Sequence, residues 1–191
     1  MNSLCLRFSI LAAILFLTCA GAKAADGVPD ADEIAIYRAV FHGRQAIAML
    51  PKPAHDASSS AELARVLKEN LSGVETATID NFSAAIRETP ALTPRSDIGV
   101  KLVFVEQKDV DQFFLHKNPK EDWQIAEMRA EQQFCKHYSV DALVSVSRVG
   151  FNPGRTQALV RVEEFSDGTI YLLEKVRGRW VVKSHVAENS L

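Results

Sequence analysis

The residue types best suited to form a binding surface lie between positions 145 and 180. Ser145 and Ser147 alternate with apolar residues along a predicted strand, so their hydroxyls share one face and could line a cavity. Arg148 lies on the opposite face, where a buried guanidinium would need a carboxylate partner. Glu163 or Glu174 on a neighbouring strand could supply it, and we expect this structural ion pair rather than an anion-binding site.

Two aromatic residues and a cysteine–histidine pair are the other side chains that could bind a ligand or take part in a reaction. Tyr171 and Trp180 could line a ligand pocket, although rings on adjacent antiparallel strands more often pack together in the core. Cys135 and His137 stand two positions apart in a predicted helix and point about 200° away from each other, so they cannot share a metal or act as nucleophile and base. We expect a half-buried thiol and a solvated imidazole.

The sequence contains none of the common catalytic motifs. It lacks Gly-x-Ser-x-Gly, a glycine-rich phosphate loop ending in Lys-Ser/Thr, His-Glu-x-x-His and Cys-x-x-Cys. Its five histidines include no two at metal-ligand spacing. We therefore predict no catalytic, cofactor-binding or metal-binding residue, and nothing in the sequence requires a cofactor.

The composition is that of an ordinary globular protein. Of the 191 residues, 47% are hydrophobic and 24% are charged, which excludes wholesale disorder and collagen-like repetition. The formal net charge is −2, whereas a protein that binds the nucleic-acid backbone normally carries a basic excess. Nucleic acid is therefore not an expected partner.

The first 24 residues have the three-part layout of a secretory signal peptide. Arg7 precedes an uncharged apolar run over residues 8–20, and Ala22-Lys23-Ala24 supplies a small-x-small cleavage site. We expect cleavage after Ala24 and export to the periplasm or the medium. Cleavage removes two of the 22 basic residues and none of the 24 acidic ones, so the mature chain is more acidic.

Two membrane-bound alternatives are disfavoured. The thirteen-residue apolar run would reach about 20 Å as a helix, short of the roughly 30 Å hydrocarbon layer, and no later stretch is longer. Lipidation would use Cys19, but Thr18 stands before it where a smaller residue is preferred. We predict no transmembrane span in the mature chain, which keeps Cys135 alone and so cannot form an internal disulfide.

Residues 25–191 are predicted to form one domain that begins with helices. Helices are expected at 30–41, capped by Asp30 or Asp32, at 59–71 behind a capping box of Ser59 and Glu62, and at 78–87, 108–115 and 122–138. In the last of these, a core-facing stripe is expected from Trp123, Ala126, Ala130, Phe134 and Tyr138. Residues 45–50 fit either a short strand or more helix.

The C-terminal part is predicted to be a four-stranded antiparallel meander over about Ala142–Val186. Strands are expected at 142–151, 156–165, 169–176 and 180–186, with turns at 152–155, at Asp167-Gly168 and at 177–179. One face is expected to be dry, with Ala158, Val160 and Val162, and the other wet. The fold class is therefore α+β, with the N-terminal helices packed on the meander and a possible further strand at Val100–Glu106.

Four segments of the C-terminal part resemble an uncharacterised family of small exported bacterial proteins. They are VSRVGFN at 146–152, QALVRV at 157–162, YLLEK at 171–175 and GRWVVK at 178–183. Residues 37–40 and 78–82 are similar to the family's first helix and a mid-chain helix. The resemblance implies a fold and an exported location, and it carries over no catalytic residue. The chain departs from the family pattern at 186–189.

The order of helices followed by a meander is also loosely similar to cystatin-like and nuclear-transport-factor-like α+β folds. In those folds a curved sheet wraps a helix and often leaves a pocket, but a fold does not fix a function.

Three functions remain open from the sequence. The first is a non-enzymatic exported domain that binds a small ligand or another envelope protein on the concave side of its sheet. The second is a hydrolase or isomerase whose site assembles from scattered residues. The third is an inhibitor of a secreted hydrolase, acting through a protruding loop at Lys52–Ser60 or Leu115–Glu121.

Overall fold

The computed structural model describes residues 28–51, 60–115 and 122–188. The helices in these ranges are α1 (Ala31–Val40), α2 (Ser60–Asn70), α3 (Thr76–Ala85), α4 (Gln107–Phe114) and α5 (Trp123–Tyr138). The strands are β1 (Ala46–Met49), β2 (Lys101–Phe104), β3 (Ala142–Val146), β4 (Gly150–Phe151), β5 (Gln157–Glu164), β6 (Asp167–Val176) and β7 (Arg179–Ala187). The predicted α+β class is confirmed.

Some predicted features lie outside the described residues. These are the signal peptide at 1–24 with Cys19, the helix cap at Ser59, and nearly all of the two loops at 52–60 and 115–121. Among the helices that are described, none combines the length and the apolar composition needed to cross a bilayer.

The described strands form one sheet in the order β2-β1-β3-β5-β6-β7, and β4 also pairs with β5. The C-terminal strands are antiparallel neighbours, as predicted. The segment at 45–50 forms a strand, β1, which runs parallel to both β2 and β3. The possible strand at Val100–Glu106 is therefore present as β2, and it joins the meander through β1.

The first strand of the predicted meander is interrupted. Residues 142–151 form two short strands, β3 and β4, and both pair with β5. Between them the Ser147 N–H still donates to the Arg161 carbonyl of β5 at 3.0 Å. The Arg148 N–H instead donates to the carbonyl of Glu88, outside the sheet.

Helices cover both faces of the sheet. On one face α1 packs through Ile36, Tyr37 and Phe41 against alternate residues of β1, β3 and β5. On the other face α2 and α3 cover β5–β7, while α4 and α5 cover β1 and β3. The protein therefore has three layers, with the sheet in the middle.

The predicted wet face of the sheet is wrong. Gln157 and Arg161 on that face are only 4% exposed, because α3 docks on Gln157 and Arg161 forms ion pairs with Glu163 and Glu188. The Gln157 side chain accepts from the Glu75 N–H at 2.7 Å and the Thr78 hydroxyl at 3.0 Å, and it donates to the Gly73 carbonyl. A polar residue in alternation here marks the docking of a helix rather than contact with water.

The turn between β5 and β6 falls at Phe165-Ser166, two residues before the predicted Asp167-Gly168. Asp167 and Gly168 are already paired with β5, opposite Glu164 and Glu163. Gly168 is needed there for space, since a Cβ would lie 1.9 Å from the Glu188 carboxylate. The glycine that looked like a turn former gives room to a buried ion pair.

The first helix is capped at one of the two predicted positions, and the cap is a capping box. Asp30 is the N-cap: its carboxylate accepts from the Glu33 N–H at 2.9 Å, and Glu33 accepts in return from the Asp30 N–H at 3.2 Å. The structure thus selects Asp30 over Asp32 as the cap and leaves Asp32 available for other contacts.

The core-facing stripe predicted for α5 is correct only beyond the first turn. Ala130 and Phe134 are buried, whereas Trp123 is 63% exposed. Trp123 is the first residue of the helix, directly after the N-cap Asp122, and the buried residues of α5 all lie in later turns. The helical period was right, but the first turn of α5 does not pack into the core.

Candidate ligand-binding pocket

Arg148 forms a buried ion pair, but its partner is not one of those predicted. Its guanidinium donates to both carboxylate oxygens of Glu33 at 2.8 Å, and the side chains are 12% and 2% exposed. Glu163 and Glu174 are engaged elsewhere, by Arg161 and Lys183. The pair therefore ties α1 to the end of β3 and has a structural role.

Ser147 is fully bonded inside the fold. Its hydroxyl donates to the Arg148 carbonyl at 2.8 Å and accepts from the Arg161 N–H at 3.0 Å. Its carbonyl accepts from the hydroxyl of the buried Tyr37 at 2.9 Å. The side chain supports the break between β3 and β4 and offers nothing to a ligand.

Trp180 lies in the core and is held by Asp32. Its indole N–H donates to the Asp32 carboxylate at 2.9 Å, and Lys175 and Arg155 donate to the same group at 2.8 and 3.0 Å. Burial by itself would raise the pKa of Asp32, but the hydrogen bonds from Lys175, Trp180 and Arg155 outweigh it and hold that pKa below its ordinary value. This cluster fastens the start of α1 to the C-terminal strands.

We expect the contribution of Asp32 to stability to depend on pH. Because its folded-state pKa lies below the unfolded value of about 4, the contribution is complete above that pH and is lost as the pH falls through the folded-state pKa. Asp32→Asn should lower the urea midpoint at about pH 6, and the gap to wild type should narrow towards about pH 2.5. Urea titrations of both proteins at several pH values measure the difference between their urea midpoints. A difference that does not change with pH would contradict this prediction.

Tyr171 and Cys135 occupy partly buried positions without a shared site. Tyr171 lies opposite His185 across β6 and β7, with ring centroids 5.7 Å apart. The thiol of Cys135 contacts the Asp141 carbonyl at 3.6 Å. Burial raises the pKa of this thiol, and the negative charges of nearby carboxylates raise it further. His137 is exposed, and its ring meets that of Tyr138 edge to face. The half-buried thiol and the exposed imidazole agree with the sequence prediction.

Ser145, by contrast, lines a pocket of about 160 Å³ between α4, α5 and the sheet, which we call the α4–α5 pocket. The apolar residues of its wall are Leu50, Val110, Phe114, Leu143, Val144 and Phe165. The polar residues of its wall are Gln107, Glu127, Ser145, Glu163 and Ser166. The pocket is therefore apolar in its larger part, with a few polar groups, as small-molecule sites generally are.

The register between β3 and β5 builds the floor of the pocket. Ser145 pairs with Glu163, and the Leu143 carbonyl accepts from the Phe165 N–H at 2.9 Å. Directly opposed residues point to the same face with Cβ atoms about 5 Å apart, so these four side chains form one patch. Phe165 has a φ of +53°, a region that bulky residues rarely occupy, and its ring packs against Phe114.

The hydroxyl of Ser145 has no hydrogen-bond partner among the described residues, although Ser145 is only 3% exposed. Leaving a buried hydroxyl unbonded costs roughly 1–3 kcal/mol. Two other buried hydroxyls in the described ranges, those of Thr89 and Ser184, share this condition but do not line the pocket. The Ser145 hydroxyl oxygen is inaccessible to solvent, so it lies beneath the surface of the pocket to which Ser145 contributes.

Two carboxylates also face the pocket. Glu163 is held by Arg161 at 2.9 Å, and Arg161 in turn binds both carboxylate oxygens of Glu188. One buried guanidinium thus serves two carboxylates. Glu127 on α5 is the second carboxylate on the pocket wall.

The surroundings of the pocket are acidic. Beyond Phe165 lies a separate cleft of about 460 Å³ whose acidic residues are Glu131, Asp141, Glu164 and Asp167. Burial raises the pKa of Glu131, and the negative charges of Glu127, Asp167 and Glu164 raise it further. These carboxylates lie close together on this side of α5, and Arg44 pairs with one of them, Glu164.

The chemistry available in the pocket is recognition by hydrogen bonds and negative charge. Of the described residues that line it, none is a histidine, a lysine or a cysteine. Within the described ranges, no three His, Cys, Asp or Glu residues stand close enough to hold a metal ion. The polar groups that are present accept hydrogen bonds, and Ser145, Ser166 and Gln107 also donate them.

Sequence reasoning singled out Ser145 as a cavity residue but missed most of the pocket. Glu127 and Gln107 lie on helices that look amphipathic and solvated in the sequence. A hint was available in Ser145 itself, because a serine interrupts the otherwise apolar run Ala142–Val146. The helices that close the pocket could not be paired with that strand from local pattern alone.

No protein-family model matches the chain, and searches of the curated proteins and of the solved structures gave no significant match.

Proposed function

We propose that this protein is an exported, non-enzymatic binding domain that holds a small, largely apolar ligand in the α4–α5 pocket. The observation that carries the proposal is the pocket itself, a cavity of about 160 Å³ with a largely apolar wall and the unbonded hydroxyl of Ser145 buried beneath it. Rotation of the Ser145 side chain to another rotamer would present this hydroxyl to a polar group of the ligand. Export is supported by the charged, apolar and small-residue order of residues 1–24.

The size of the pocket supports a ligand of about one aromatic ring. An apolar cavity of about 150 Å³ binds benzene, and this pocket has about 160 Å³. Its wall also carries the ring of Phe114 and the methyl groups of Val110 and Leu143, which suit an apolar body. A binding role fits the wall better than hydrolysis or isomerisation, because the wall offers carboxylates and hydroxyls without a neighbouring base such as histidine.

Benzyl alcohol is a suitable neutral probe, with one ring and one hydroxyl. We expect calorimetry to show saturable binding at one site and the melting temperature to rise with probe concentration. Absence of binding at millimolar concentration would overturn the proposal.

The Ser145→Ala variant tests the position of the site. We expect it to fold with an unfolding free energy equal to or up to about 1 kcal/mol above that of wild type, because an unsatisfied hydroxyl is removed. Benzyl alcohol should bind it roughly fivefold to tenfold more weakly, since one hydrogen bond is lost.

Ser184→Ala is the matched control. Ser184 also has a buried hydroxyl without a partner, but it lies on β7 away from the pocket. Its substitution should leave benzyl alcohol affinity within about twofold of wild type. Equal weakening in both variants would place the ligand elsewhere.

A further inference from the structure

We propose that Phe165 is the residue that determines which ligands the α4–α5 pocket accepts. Its ring separates the pocket from the neighbouring cleft and limits the enclosed part of the ligand to one aromatic ring or an apolar group of similar volume. The inference rests on the proposed binding function and adds to it the residue that sets the size of the ligand.

The first step concerns the position of Phe165. Of the described residues that line the α4–α5 pocket or the cleft, Phe165 alone lines both. The pocket has a volume of about 160 Å³ and the cleft about 460 Å³. Because an apolar cavity of about 150 Å³ holds one benzene molecule, a second ring needs roughly as much space again. The pocket therefore cannot enclose two rings while the Phe165 ring stands between it and the cleft.

The second step concerns the contacts that hold the ring of Phe165. Its centroid lies 6.0 Å from that of Phe114 on α4 and 6.2 Å from that of Phe134 on α5, which it meets edge to face. The Phe165 N–H also donates to the Leu143 carbonyl, which ties the residue to β3. A larger ligand would have to break these contacts to push the ring aside, so the ring acts as a fixed wall.

The third step concerns the backbone of Phe165. It is the first residue of the two-residue turn between β5 and β6, whose flanking residues Glu164 and Asp167 are paired. The turns favoured in such hairpins need a positive φ at this position, which glycine or asparagine normally supplies. A phenylalanine with a φ of +53° is strained there and persists only because its surroundings hold it. A smaller residue would suit the turn better, so the ring is explained by its contacts with the two cavities and the helices.

Benzyl alcohol and para-phenylbenzyl alcohol, which differ by one ring, test the size limit. In the wild-type protein the second ring should remain outside the enclosed volume. We therefore expect calorimetry to show that the larger alcohol binds no more tightly than the smaller. Burial of a second ring would instead strengthen binding at least about tenfold.

Phe165→Gly is the variant that should remove the limit. Glycine suits the positive φ of this position, so the turn itself is not disturbed. The second ring of the larger alcohol can then occupy the space that the Phe165 ring leaves between Phe114 and Phe134. We expect the affinity for para-phenylbenzyl alcohol, relative to that for benzyl alcohol, to rise at least about tenfold over the wild-type ratio.

Phe113→Ala is the matched control. Phe113 belongs to the same aromatic cluster, with its ring 5.5 Å from that of Phe134 and 6.2 Å from that of Tyr138, but it lines neither cavity. We expect this variant to keep the affinity ratio within about twofold of wild type. Phe165→Leu keeps an apolar side chain at the turn and replaces Phe165→Gly if that protein does not fold. It should raise the ratio at least about threefold.

The outcomes distinguish the two proposals. If benzyl alcohol binds but the wild-type protein binds the larger alcohol at least about tenfold more tightly, or if neither substitution of Phe165 raises the ratio, Phe165 does not set the limit. The inference is then wrong while the binding function stands. If Phe113→Ala raises the ratio as much, a general loosening of the aromatic cluster explains the gain and the inference is again wrong. If neither alcohol binds to the wild-type protein, the proposed function itself fails.

Discussion

Replacing Gly150 by alanine is expected to destabilise the protein by roughly 4 kcal/mol or more, and to prevent folding if the native state is less stable than that. A Cβ at this position would lie 2.3 Å from Cα and 2.4 Å from the backbone nitrogen of Phe82. Backbone atoms of a helix cannot move aside as a flexible side chain can. The strand β4 and the helix α3 would have to separate, which would open the contacts of Phe82.

The measurement is the urea midpoint, followed by circular dichroism, with Gly154→Ala as the control. Gly154 is exposed in the following turn, and a Cβ there would meet nothing closer than 3.9 Å. We expect the free energy of unfolding of the control to lie within about 0.5 kcal/mol of that of wild type. A Gly150→Ala protein that unfolds like the control would show that β4 does not approach α3 so closely.

The elements that sequence reasoning predicted correctly are those whose signals are local. The cap at Asp30, one of the two predicted, sets the start of α1, and the apolar period of α5 places Ala130 and Phe134 in the core. The strands β5, β6 and β7 were predictable because short turns force neighbouring segments to pair antiparallel. Each of these inferences needs only a few consecutive residues.

The inferences that failed needed partners distant in the chain. Arg148 was expected to pair with a neighbouring strand, but Glu33 lies 115 positions away on α1. Gln157 and Arg161 looked like a solvated face because the sequence does not show that α2 and α3 cross over that face. The sequence alone does not distinguish a buried polar residue from an exposed one of the same type. The packing of helices on the sheet decides which it is.

The pocket also combines a feature that the local sequence shows with one that depends on distant parts of the chain. The interruption of β3 by Ser145 is visible in the sequence and indicates a polar spot on a sheet face. Its completion by Glu127 requires α5 to lie over β3 and β5, which depends on the parallel addition of β1 and β2 to the meander. Parallel strands are joined by long crossover connections, so the residues next to a strand do not show which other strand it will pair with.

The second large effect is expected from Glu33→Gln, which should lower the unfolding free energy by about 3–5 kcal/mol. Glu33 is 2% exposed, and its carboxylate accepts from the Arg148 guanidinium twice and from the N–H groups of Asp30 and Val149. The neutral amide would leave a largely buried guanidinium without its counter-charge and would point an NH₂ group at donors.

The test compares Glu33→Gln with Glu106→Gln, which breaks an ion pair with Lys108 whose two side chains are about 70% exposed. An exposed pair of this kind contributes little, so we expect the urea midpoint of that control to stay close to wild type. The double variant Glu33→Gln, Arg148→Met should recover part of the loss, because removing both partners leaves no unpaired buried charge. If Glu33→Gln unfolds at the same urea concentration as Glu106→Gln, then Glu33 is not the buried counter-charge that joins α1 to the sheet.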